Sequence, residues 1–516
     1  MRRSLFPLAV LLLSPTLDSQ AVQGIPPQPI TDINSEGDSD PGNFVSLDRK
    51  IFFTAFDGAK LALYSRNLEK RIDGEPAIDP EIDLTLPKHK PARLRRFPEG
   101  TEFGEFLPVN EQFKTGSSKT ARLYFHVRGQ GLWTSRGTPS STLKLKDVDA
   151  GDDESQWMHS LTAINDNGDA TKSLVLFSAI SPTKGSEVFT TRGKASNTKL
   201  FDDIVPGPES GFPHEYADAS VEGEAAYFFG AFNDERQSFN IYYSPGIPGE
   251  AIDILGTENG LIQGFLDIVT LPGNDSVAFI ARDQSGTTQY LGIVGLTLSL
   301  NTYGSVTPTF LAPFNSQVLV IGDGLDANSQ PAGEEVYSLS EGTVTLLHNI
   351  NAGTGSSNPN NFVQASSSTM YFSATPDGLA RRLYRTNGMP NGLEEIADES
   401  GSAIHTENAA QIIALTKSYN GQDHGQDVYY VGTATAGTYS GQTILWRVRM
   451  TEVNGGKGVA HPVLTEMGFP ILNVRNLGKL VDPGSPGIYR LFFQSDGEGT
   501  EHAGRGTEVW CYERAD

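Results

Sequence analysis

A short apolar pattern that recurs at intervals of about 50 residues constrains the fold of this chain more than any other feature. Each copy is a run of bulky apolar residues that ends in an aromatic residue, any residue and a small residue. The nine copies lie at residues 51–55, 123–127, 175–179, 227–231, 277–281, 318–322, 370–374, 428–432 and 490–495, and the sixth lacks the aromatic. Residues 125, 177, 229 and 279 are separated by 52, 52 and 50 positions, which indicates one repeated structural unit.

A second pattern, an aliphatic residue followed by an aromatic one, comes after nearly every copy of the first. It reads Leu63-Tyr64, Leu132-Trp133, Val188-Phe189, Ile241-Tyr242, Val336-Tyr337, Leu383-Tyr384, Leu445-Trp446 and Val509-Trp510, and it is blurred near Tyr290-Leu291. Three of the four tryptophans of the chain occupy this one position. Two patterns that keep the same order through the chain predict two adjacent strands in every unit.

A third element supports this register. Pro41-Gly42-Asn43-Phe44 recurs as Pro359-Asn360-Asn361-Phe362, 318 residues later, a distance of six units of 53 residues. Asp57-Gly58 and Asp377-Gly378 are typical of a turn between the second and third strands. Each unit is therefore predicted to hold four short strands, the last exemplified by residues 142–145.

Four-stranded units that are apolar on both faces suit sheets stacked between neighbouring sheets. The 55 glycines and 30 prolines favour many turns, and no long segment keeps an apolar period of 3.6 residues. We predict an all-β protein, a single large β-propeller of about eight or nine four-stranded blades. Two alternatives stay open, namely a ring of eight closed by combined terminal units and two smaller propellers.

The repeats resemble bacterial ELWxxDGT-type repeats. The best matching unit has Pro359, Tyr371-Phe372-Ser373-Ala374, Asp377-Gly378 and, in residues 383–388, Leu-Tyr-Arg-Thr-Asn-Gly. The Asp of the family turn is replaced here by Arg136, Arg192 or Asn387, so the copies are degenerate. The resemblance covers about residues 30–516 and implies an exported, propeller-like protein without an agreed activity.

The first residues predict export. Arg2 and Arg3 precede an apolar run over residues 5–13, and Ser19-Gln20-Ala21 offers small residues at the positions that signal peptidase requires. We predict a signal peptide over residues 1–21, a linker over 22–29 and the propeller over 30–516. No other stretch approaches the roughly 20 apolar residues of a membrane span, so a protein secreted or periplasmic and without membrane insertion is expected.

The net charge limits the classes of partner that the protein can bind, and the cysteine content limits its covalent cross-links. A formal net charge of -23 disfavours nucleic acid and anionic membranes, and we expect a monomer whose partner is an extracellular polysaccharide or a protein. The single cysteine, Cys511, permits no internal disulfide and is expected to be packed within a strand. We predict no organic cofactor.

The acidic residues Asp147, Asp149, Asp152, Asp153 and Glu154 are the best candidate for a metal site, since calcium prefers several carboxylate oxygens on a flexible loop. The alternative is a solvated acidic turn, because the spacing departs from a calcium-binding loop of the EF-hand type. The segment from Asp32 to Asp40 is a weaker candidate. His126 and Arg128 share one face of a strand and could face a channel or form a structural pair.

No motif for nucleophilic, zinc-dependent or nucleotide chemistry is present in the sequence. We therefore expect a noncatalytic exported propeller with a binding or scaffold role at the cell surface or outside the cell. The alternative is a propeller enzyme, a glycan- or lactone-directed hydrolase or lyase, with its site at the channel mouth. Carboxylates, histidines or arginines gathered at one end of the channel would favour the enzyme, and a uniformly charged or apolar mouth would favour binding.

Overall fold

The computed structural model describes residues 25–47, 50–67, 90–111, 120–148, 158–164, 174–221, 224–254, 262–271, 276–283, 289–295, 301–303, 306–340, 343–398, 406–419, 422–435, 437–448, 458–481, 488–500, 502–504 and 506–515. These residues form 37 β-strands and two 3-10 turns, Pro139–Ser141 and Ala195–Asn197, and none of them lies in an α-helix. The all-β class that the sequence predicts is therefore confirmed.

The strands group into nine four-stranded units, blades 1 to 9, each antiparallel, and blades 1 to 8 take their strands in the order of the chain. The first three blades and the strand that precedes them are β1 Ile25–Pro29; β2 Gly42–Leu47, β3 Lys50–Phe56, β4 Leu61–Asn67, β5 Ala92–Arg96; β6 Phe103–Glu111, β7 Thr120–Val127, β8 Gly131–Ser135, β9 Leu143–Lys146; and β10 His159–Ile164, β11 Leu174–Ser181, β12 Gly185–Thr191, β13 Lys199–Asp202. Blades 4 to 6 are β14 His214–Val221, β15 Glu224–Asn233, β16 Ser238–Ser244, β17 Ile252–Asp253; β18 Ile262–Thr270, β19 Ser276–Asp283, β20 Gln289–Gly295, β21 Asn301–Tyr303; and β22 Val306–Phe314, β23 Gln317–Leu325, β24 Pro331–Ser340, β25 Thr343–His348.

The last three blades are β26 Asn360–Ser366, β27 Thr369–Ala374, β28 Arg382–Thr386, β29 Glu394–Glu395, with the short linking strand β30 Ala397–Asp398; β31 Thr406–Tyr419, β32 Gln422–Ala434, β33 Thr443–Val448, β34 Val459–Pro462; and β35 Arg475–Val481, β36 Ile488–Ser495, β37 Glu508–Ala515. The outer strand of blade 9 is β1, which pairs antiparallel with β37. The sequence predicts a linker over residues 22–29, whereas Ile25–Pro29 forms this strand. Its three prolines conceal it in the sequence, because proline is typical of linkers and is confined in sheets to edge strands.

The two aromatic patterns of the sequence are the second and third strands of each blade, paired directly opposite one another. Phe125 is the register partner of Trp133, with ring centroids 6.3 Å apart, and Phe493 is the partner of Trp510 at 6.1 Å. Such stacked cross-strand pairs stabilise a sheet beyond the apolar area that they bury. The aromatic residue of the third strand therefore recurs in most blades because it covers the aromatic residue of the second strand.

The hydrophobic core is distributed around the ring. The described residues contain nine buried apolar clusters, and each cluster draws its side chains from two neighbouring blades. The cluster between blades 4 and 5 brings Phe228 against Phe279, and the one between blades 9 and 1 brings Phe492 and Cys511 against Phe53. Because blade 9 packs on blade 1, the nine blades close into one ring. Cys511 is packed within a strand, as the sequence predicts.

Three glutamates, one in every third blade, hold the chain where it passes to the next blade. Glu187, Glu335 and Glu508 directly precede the aliphatic–aromatic pairs in the third strands of blades 3, 6 and 9, and each is fully buried. Glu187 accepts hydrogen bonds from the backbone N–H of Ile204 at 2.7 Å and of Gly211 at 2.9 Å. The carboxylate thus accepts from donors of the connecting loop, one of which, the N–H of Gly211, it shares with the carbonyl of Ser186.

Cationic and amide side chains make a second kind of link between blades. Arg122, buried at the start of β7, donates to the carbonyl of Gly193 in blade 3 at 2.9 Å. Gln317 of blade 6 reaches Gly388 of blade 7 in the same way at 3.0 Å. The acceptors lie in the turns where the repeat family carries its Asp, so these turns contact the preceding blade.

Candidate functional site

The first strand of each blade is the innermost one. First strands of successive blades contact one another around the ring, as β2 does with β35 and β14 does with β18. The other three strands of each blade lie farther from the ring axis, so residues of the first strands line the central channel. A functional site of the channel must be built from these strands and from the loops that lead into them.

Each of the nine first strands is irregular close to its beginning. The register with the second strand shifts between Gly42 and Val45 in blade 1, between His214 and Ala217 in blade 4, and at the corresponding places in the other blades. A β-bulge bends its strand and redirects a side chain, and bulges are common beside functional sites. We call the end of the channel lined by these nine irregularities the bulge mouth.

Two positions at the bulge mouth take left-handed backbone angles in several blades. The later one is Asn43, Asn361 and Asn476, with φ of 52°, 56° and 53°, and the one three residues earlier is Asp40, Asn358 and Asn473, with φ of 39°, 45° and 53°. Asn and Asp adopt this conformation several times more often than other residues that carry a side chain. The repeat therefore selects them for a structural reason.

Blade 4 departs from this rule at both positions. Phe212 takes φ of 46° and Glu215 takes φ of 54°, where blades 1, 7 and 9 have Asp or Asn. A phenylalanine and a glutamate gain nothing locally from the left-handed region, and such strained residues cluster at functional sites. Both side chains are exposed, Phe212 to 45 %. Among the left-handed residues of the bulge mouth, Phe212 and Glu215 are therefore the two that a structural role explains least.

Glu215 lies near two other carboxylates from different blades. Partial desolvation by the surrounding protein raises the pKa of Glu215, and the charge of Glu105 raises it further. Desolvation raises the pKa of Asp267 to about 6 against a backbone hydrogen bond from Leu311, and Glu215 adds to the rise. Glu215 accepts no hydrogen bond from any residue that the structure describes, so its carboxylate is available to a ligand.

The other two carboxylates have structural partners in the next blade. Glu105 of β6 accepts the backbone N–H groups of Ser160 at 2.8 Å and Leu161 at 2.6 Å, in the bulge of blade 3. Asp267 of β18 accepts the N–H of Leu311 in blade 6 at 2.9 Å. Both therefore fix the spacing of the first strands while they add negative charge beside Glu215.

Exposed aromatic surface accompanies these charges. Phe310, next to Leu311 in β22, is 45 % exposed and stacks on Phe362 of blade 7 with centroids 6.0 Å apart. Behind Phe212, the Nδ1 atom of His214 lies 2.8 Å from the Phe212 carbonyl oxygen, and its ring packs edge-on against Phe239. Carboxylates beside exposed aromatic rings can hold hydroxyl or ammonium groups and cover an apolar ligand face.

The opposite side of the ring carries positive charge. Arg475 is exposed at the beginning of β35 in blade 9, four blades from Glu215 in one direction and five in the other. Lys479 of the same strand donates to the carbonyl of Ala414 at 2.9 Å, and desolvation lowers its pKa. Carboxylates occur there as well, since Asn473, two residues before Arg475, donates to Asp496 at 2.9 Å and to Glu498 at 3.1 Å.

The predicted calcium site falls mostly outside the described residues. Asp149, Asp152, Asp153 and Glu154 are not among them, and Asp147 is exposed and forms an ion pair with Lys144 at 2.8 Å. Within the described parts of the chain, no group of three or more His, Cys, Asp or Glu side chains is arranged to hold a metal ion. The calcium prediction therefore stays a prediction.

The weaker acidic segment has a structural role. Asp38 accepts the N–H and hydroxyl of Thr507 at 2.8 and 3.0 Å, and Asp40 accepts from Gln494 at 3.5 Å. These contacts join the beginning of the chain to blade 9.

His126 and Arg128 do not face the channel together. His126 is buried in β7, a second strand, against Gly104, where an added Cβ would lie 2.4 Å from its Nδ1 atom. Arg128 forms an exposed ion pair with Glu102 at 2.8 Å. Of the two interpretations that the sequence left open, the structural one fits this placement.

Sequence reasoning missed Phe212, Glu215 and Asp267. A signal for Glu215 was present, because Pro213-His214-Glu215-Tyr216 aligns with Pro41-Gly42-Asn43-Phe44 and with Pro359-Asn360-Asn361-Phe362 and differs at the Asn. No comparable signal marks Asp267, which is a single acidic residue within an apolar strand.

Comparison with known proteins identifies no family for this chain. No protein-family model matches the chain, and no curated protein matches it. It is similar to a solved prolyl endopeptidase structure, from a study of two such enzymes and of inter-domain dynamics in their catalysis and specificity, with 12% identity and a TM-score of 0.40. The match covers 78% of this chain and 55% of that one, so this chain spans about half of its length. At this TM-score the likeness carries no argument about activity.

A search of the described residues for a helix that is both long and apolar enough to cross a membrane gives none.

Proposed function

We propose that this protein is an exported, noncatalytic propeller that binds an extracellular polymer at the bulge mouth. The observation that carries the proposal is the strained, exposed pair Phe212 and Glu215, which stands where blades 1, 7 and 9 have Asp or Asn. An aromatic ring and an unbonded carboxylate on a rigid rim are the groups that recognise a polar ligand with an apolar face. Export follows from the predicted signal peptide, and the ELWxxDGT resemblance agrees with it.

A polysaccharide is the first ligand to test. The exposed rings of Phe212 and Phe310 can cover sugar faces, and the carboxylate of Glu215 can accept sugar hydroxyl groups. The net charge of -23 argues against nucleic acid as a partner. A monomeric protein with the ligand on its ring axis is the arrangement we expect.

One observation favours a second candidate, a glycan- or lactone-directed hydrolase or lyase. The pKa of Asp267 is raised to about 6, so this carboxyl holds a proton at mildly acidic pH, and Glu215 lies near enough to influence it. A protonated carboxyl beside an ionised one is the pair that acid–base cleavage of a glycosidic bond requires. In this candidate, Asp267 would be the general acid and Glu215 the base or nucleophile.

The decisive experiment incubates the purified mature protein with immobilised extracellular polysaccharides and measures retention and released products together. We expect retention without products, and we expect Phe212→Ala and Glu215→Gln to abolish most of the retention. Ile252→Ala and Glu250→Gln are matched controls, since both residues are exposed and lie in or beside the outer strand of blade 4.

The outcomes separate the two candidates. Released sugars that disappear with heat-treated protein and with Asp267→Asn would replace the binding role with the enzyme. Retention that survives both mouth variants would place binding elsewhere on the protein, against the proposal.

Calcium at Asp147, Asp149, Asp152, Asp153 and Glu154 is a separate proposal. Titration of calcium into the chelator-treated protein should give saturable binding that Asp152→Asn with Asp153→Asn removes. An absence of calorimetric heat would exclude it.

A further inference from the structure

The ring closes at one seam, the junction between blades 9 and 1. This junction is built differently from the junctions between the other blades. Blades 1 to 8 take their four strands from consecutive stretches of chain, but blade 9 takes its outer strand from residues 25–29. We call residues 25–40, which form this strand and lead to β2, the strap. The strap is attached covalently to blade 1 alone and reaches blade 9 only through noncovalent contacts.

The strand of the strap is poorly equipped for pairing. Three of its five residues are Pro26, Pro27 and Pro29, and proline has no backbone N–H to donate to β37. Its register with β37 is also irregular between Ile25 and Gln28. A strand with this composition loses little conformational entropy on docking and gains few ladder hydrogen bonds.

The firmest attachment follows the strand. The N–H of Ile30 donates to the carbonyl of Val509 at 2.8 Å. The hydroxyl of Thr31 donates to the buried carboxylate of Glu508 at 2.7 Å and accepts the N–H of Val509 at 3.0 Å. A single side chain thus bridges the strap to two consecutive residues of β37.

Glu187 and Glu335 occupy the position of Glu508 in blades 3 and 6. There the chain runs without interruption from the outer strand into the next blade. Glu335 of blade 6 accepts the N–H groups of Ile350 at 2.9 Å and of Asn351 at 3.0 Å, and those residues follow the outer strand of their own blade. There, the outer strand is tethered at both ends, to the third strand and to the next blade. The strap is joined covalently to blade 1 and not to blade 9, so no covalent connection to β37 limits its release from that strand.

We propose that the propeller opens reversibly at this seam, by release of the strap from β37. Opening separates blade 9 from blade 1, exposes the apolar cluster between them and gives an extended chain a lateral route into the channel. The inference concerns the fold and holds whichever ligand the bulge mouth binds.

The protein carries its own probe of this opening. Cys511 is the only cysteine in the sequence, lies on β37 opposite Gln28, and is 1 % exposed within the seam cluster. A thiol reagent can modify it only when the cluster opens. The matched control is Ser338→Cys in a Cys511→Ser background, since Ser338 is buried and follows the aromatic residue of β24 as Cys511 follows that of β37.

The experiment measures the rate of thiol modification of the full-length mature protein under native conditions. We expect Cys511 to react at least about tenfold faster than the cysteine of the control, because local opening needs less free energy than global unfolding. Thr31→Val keeps the shape of the side chain and removes both of its hydrogen bonds. It should accelerate modification of Cys511 about fivefold or more and leave the control unchanged.

Two results would overturn the proposal. Equal rates for Cys511 and the control would mean that both sites open together, by unfolding of the whole ring. Equal acceleration of both by Thr31→Val would mean that the strap stabilises the fold without acting as a separate opening element.

Discussion

Removal of the Glu187 carboxylate should destabilise the propeller by an amount that the structure allows us to work out. Glu187→Ala leaves two backbone N–H groups without an acceptor, those of Ile204 and Val205, whereas the N–H of Gly211 keeps the carbonyl of Ser186 at 3.0 Å. Each unsatisfied buried donor costs about 1–3 kcal/mol, which sums to about 2–6 kcal/mol. Since 1 kcal/mol corresponds to about 1 °C in Tm for a chain of this length, Tm should fall by about 2–6 °C.

Glu187→Gln is the informative second variant. Its amide oxygen can still accept two of the three donors, while its NH2 group faces the third, so its Tm should lie between those of the wild type and the alanine variant. Glu250→Ala, at an exposed position, is the control and should change Tm by less than about 1 °C. Scanning fluorimetry or calorimetry on all four proteins provides the comparison.

The pH dependence tests the same carboxyl independently. Burial is the largest cause that raises the pKa of Glu187, to about 8, against the three N–H donors. The folded state then binds a proton more tightly than the unfolded state, so this group stabilises the fold below about pH 4.5 and loses that contribution as pH rises to about 8. At about 1.4 kcal/mol per pKa unit, the loss is on the order of 5 kcal/mol.

Glu187→Gln removes the titrating group, so the difference in stability between wild type and variant should shrink as pH rises from 5 to 8. A constant difference across this range would refute the burial argument, and an alanine variant as stable as the wild type would refute the account of the loop donors.

Three further changes test the packing, the links and the mouth. Trp510→Ala should cost about 3–5 kcal/mol, measured by calorimetry, because it opens a cavity between blades 8 and 9; a loss below about 1 kcal/mol would contradict the cluster. Arg122→Met should lower stability by about 1–3 kcal/mol through the lost bond to Gly193, whereas the exposed Arg136→Met should not, and equal effects would exclude a specific link. Glu215→Asn should stabilise the protein by up to about 1 kcal/mol while weakening ligand retention, and a loss of stability would show that the left-handed glutamate is not strained.

Much of the fold could be predicted from short stretches of sequence. The apolar strand ending in an aromatic and the Leu-Trp or Val-Trp pair each occupy fewer than ten residues, and both are read from local periodicity. In the structure, Phe125 and Trp133 are directly paired, as the two patterns imply. The four-stranded unit follows from such local signals, which give nine copies but leave open whether the copies form one ring of eight or nine blades or two smaller rings.

The candidate site could not be predicted in the same way. Glu105, Glu215 and Asp267 come from blades 2, 4 and 5, and they meet only because three first strands line one channel. Apart from the place of Glu215 at the Asn position of the repeat, nothing in the sequence distinguishes them from other acidic residues. By contrast, the acidic run around Asp147 is conspicuous as sequence, and its one described member is paired with a lysine at the surface.

By itself, the sequence determined the class of the fold, the repeat and the burial of the aromatic positions, because these depend on which faces of a strand are apolar. Only the tertiary structure decided how the ring closes. Residues 25–29 read as a linker, since a strand with three prolines has no local pattern, and its partner β37 lies more than 470 residues away. The tertiary structure also decided which residues are strained at the bulge mouth, because left-handed backbone angles arise where the bulge of a first strand meets the preceding loop.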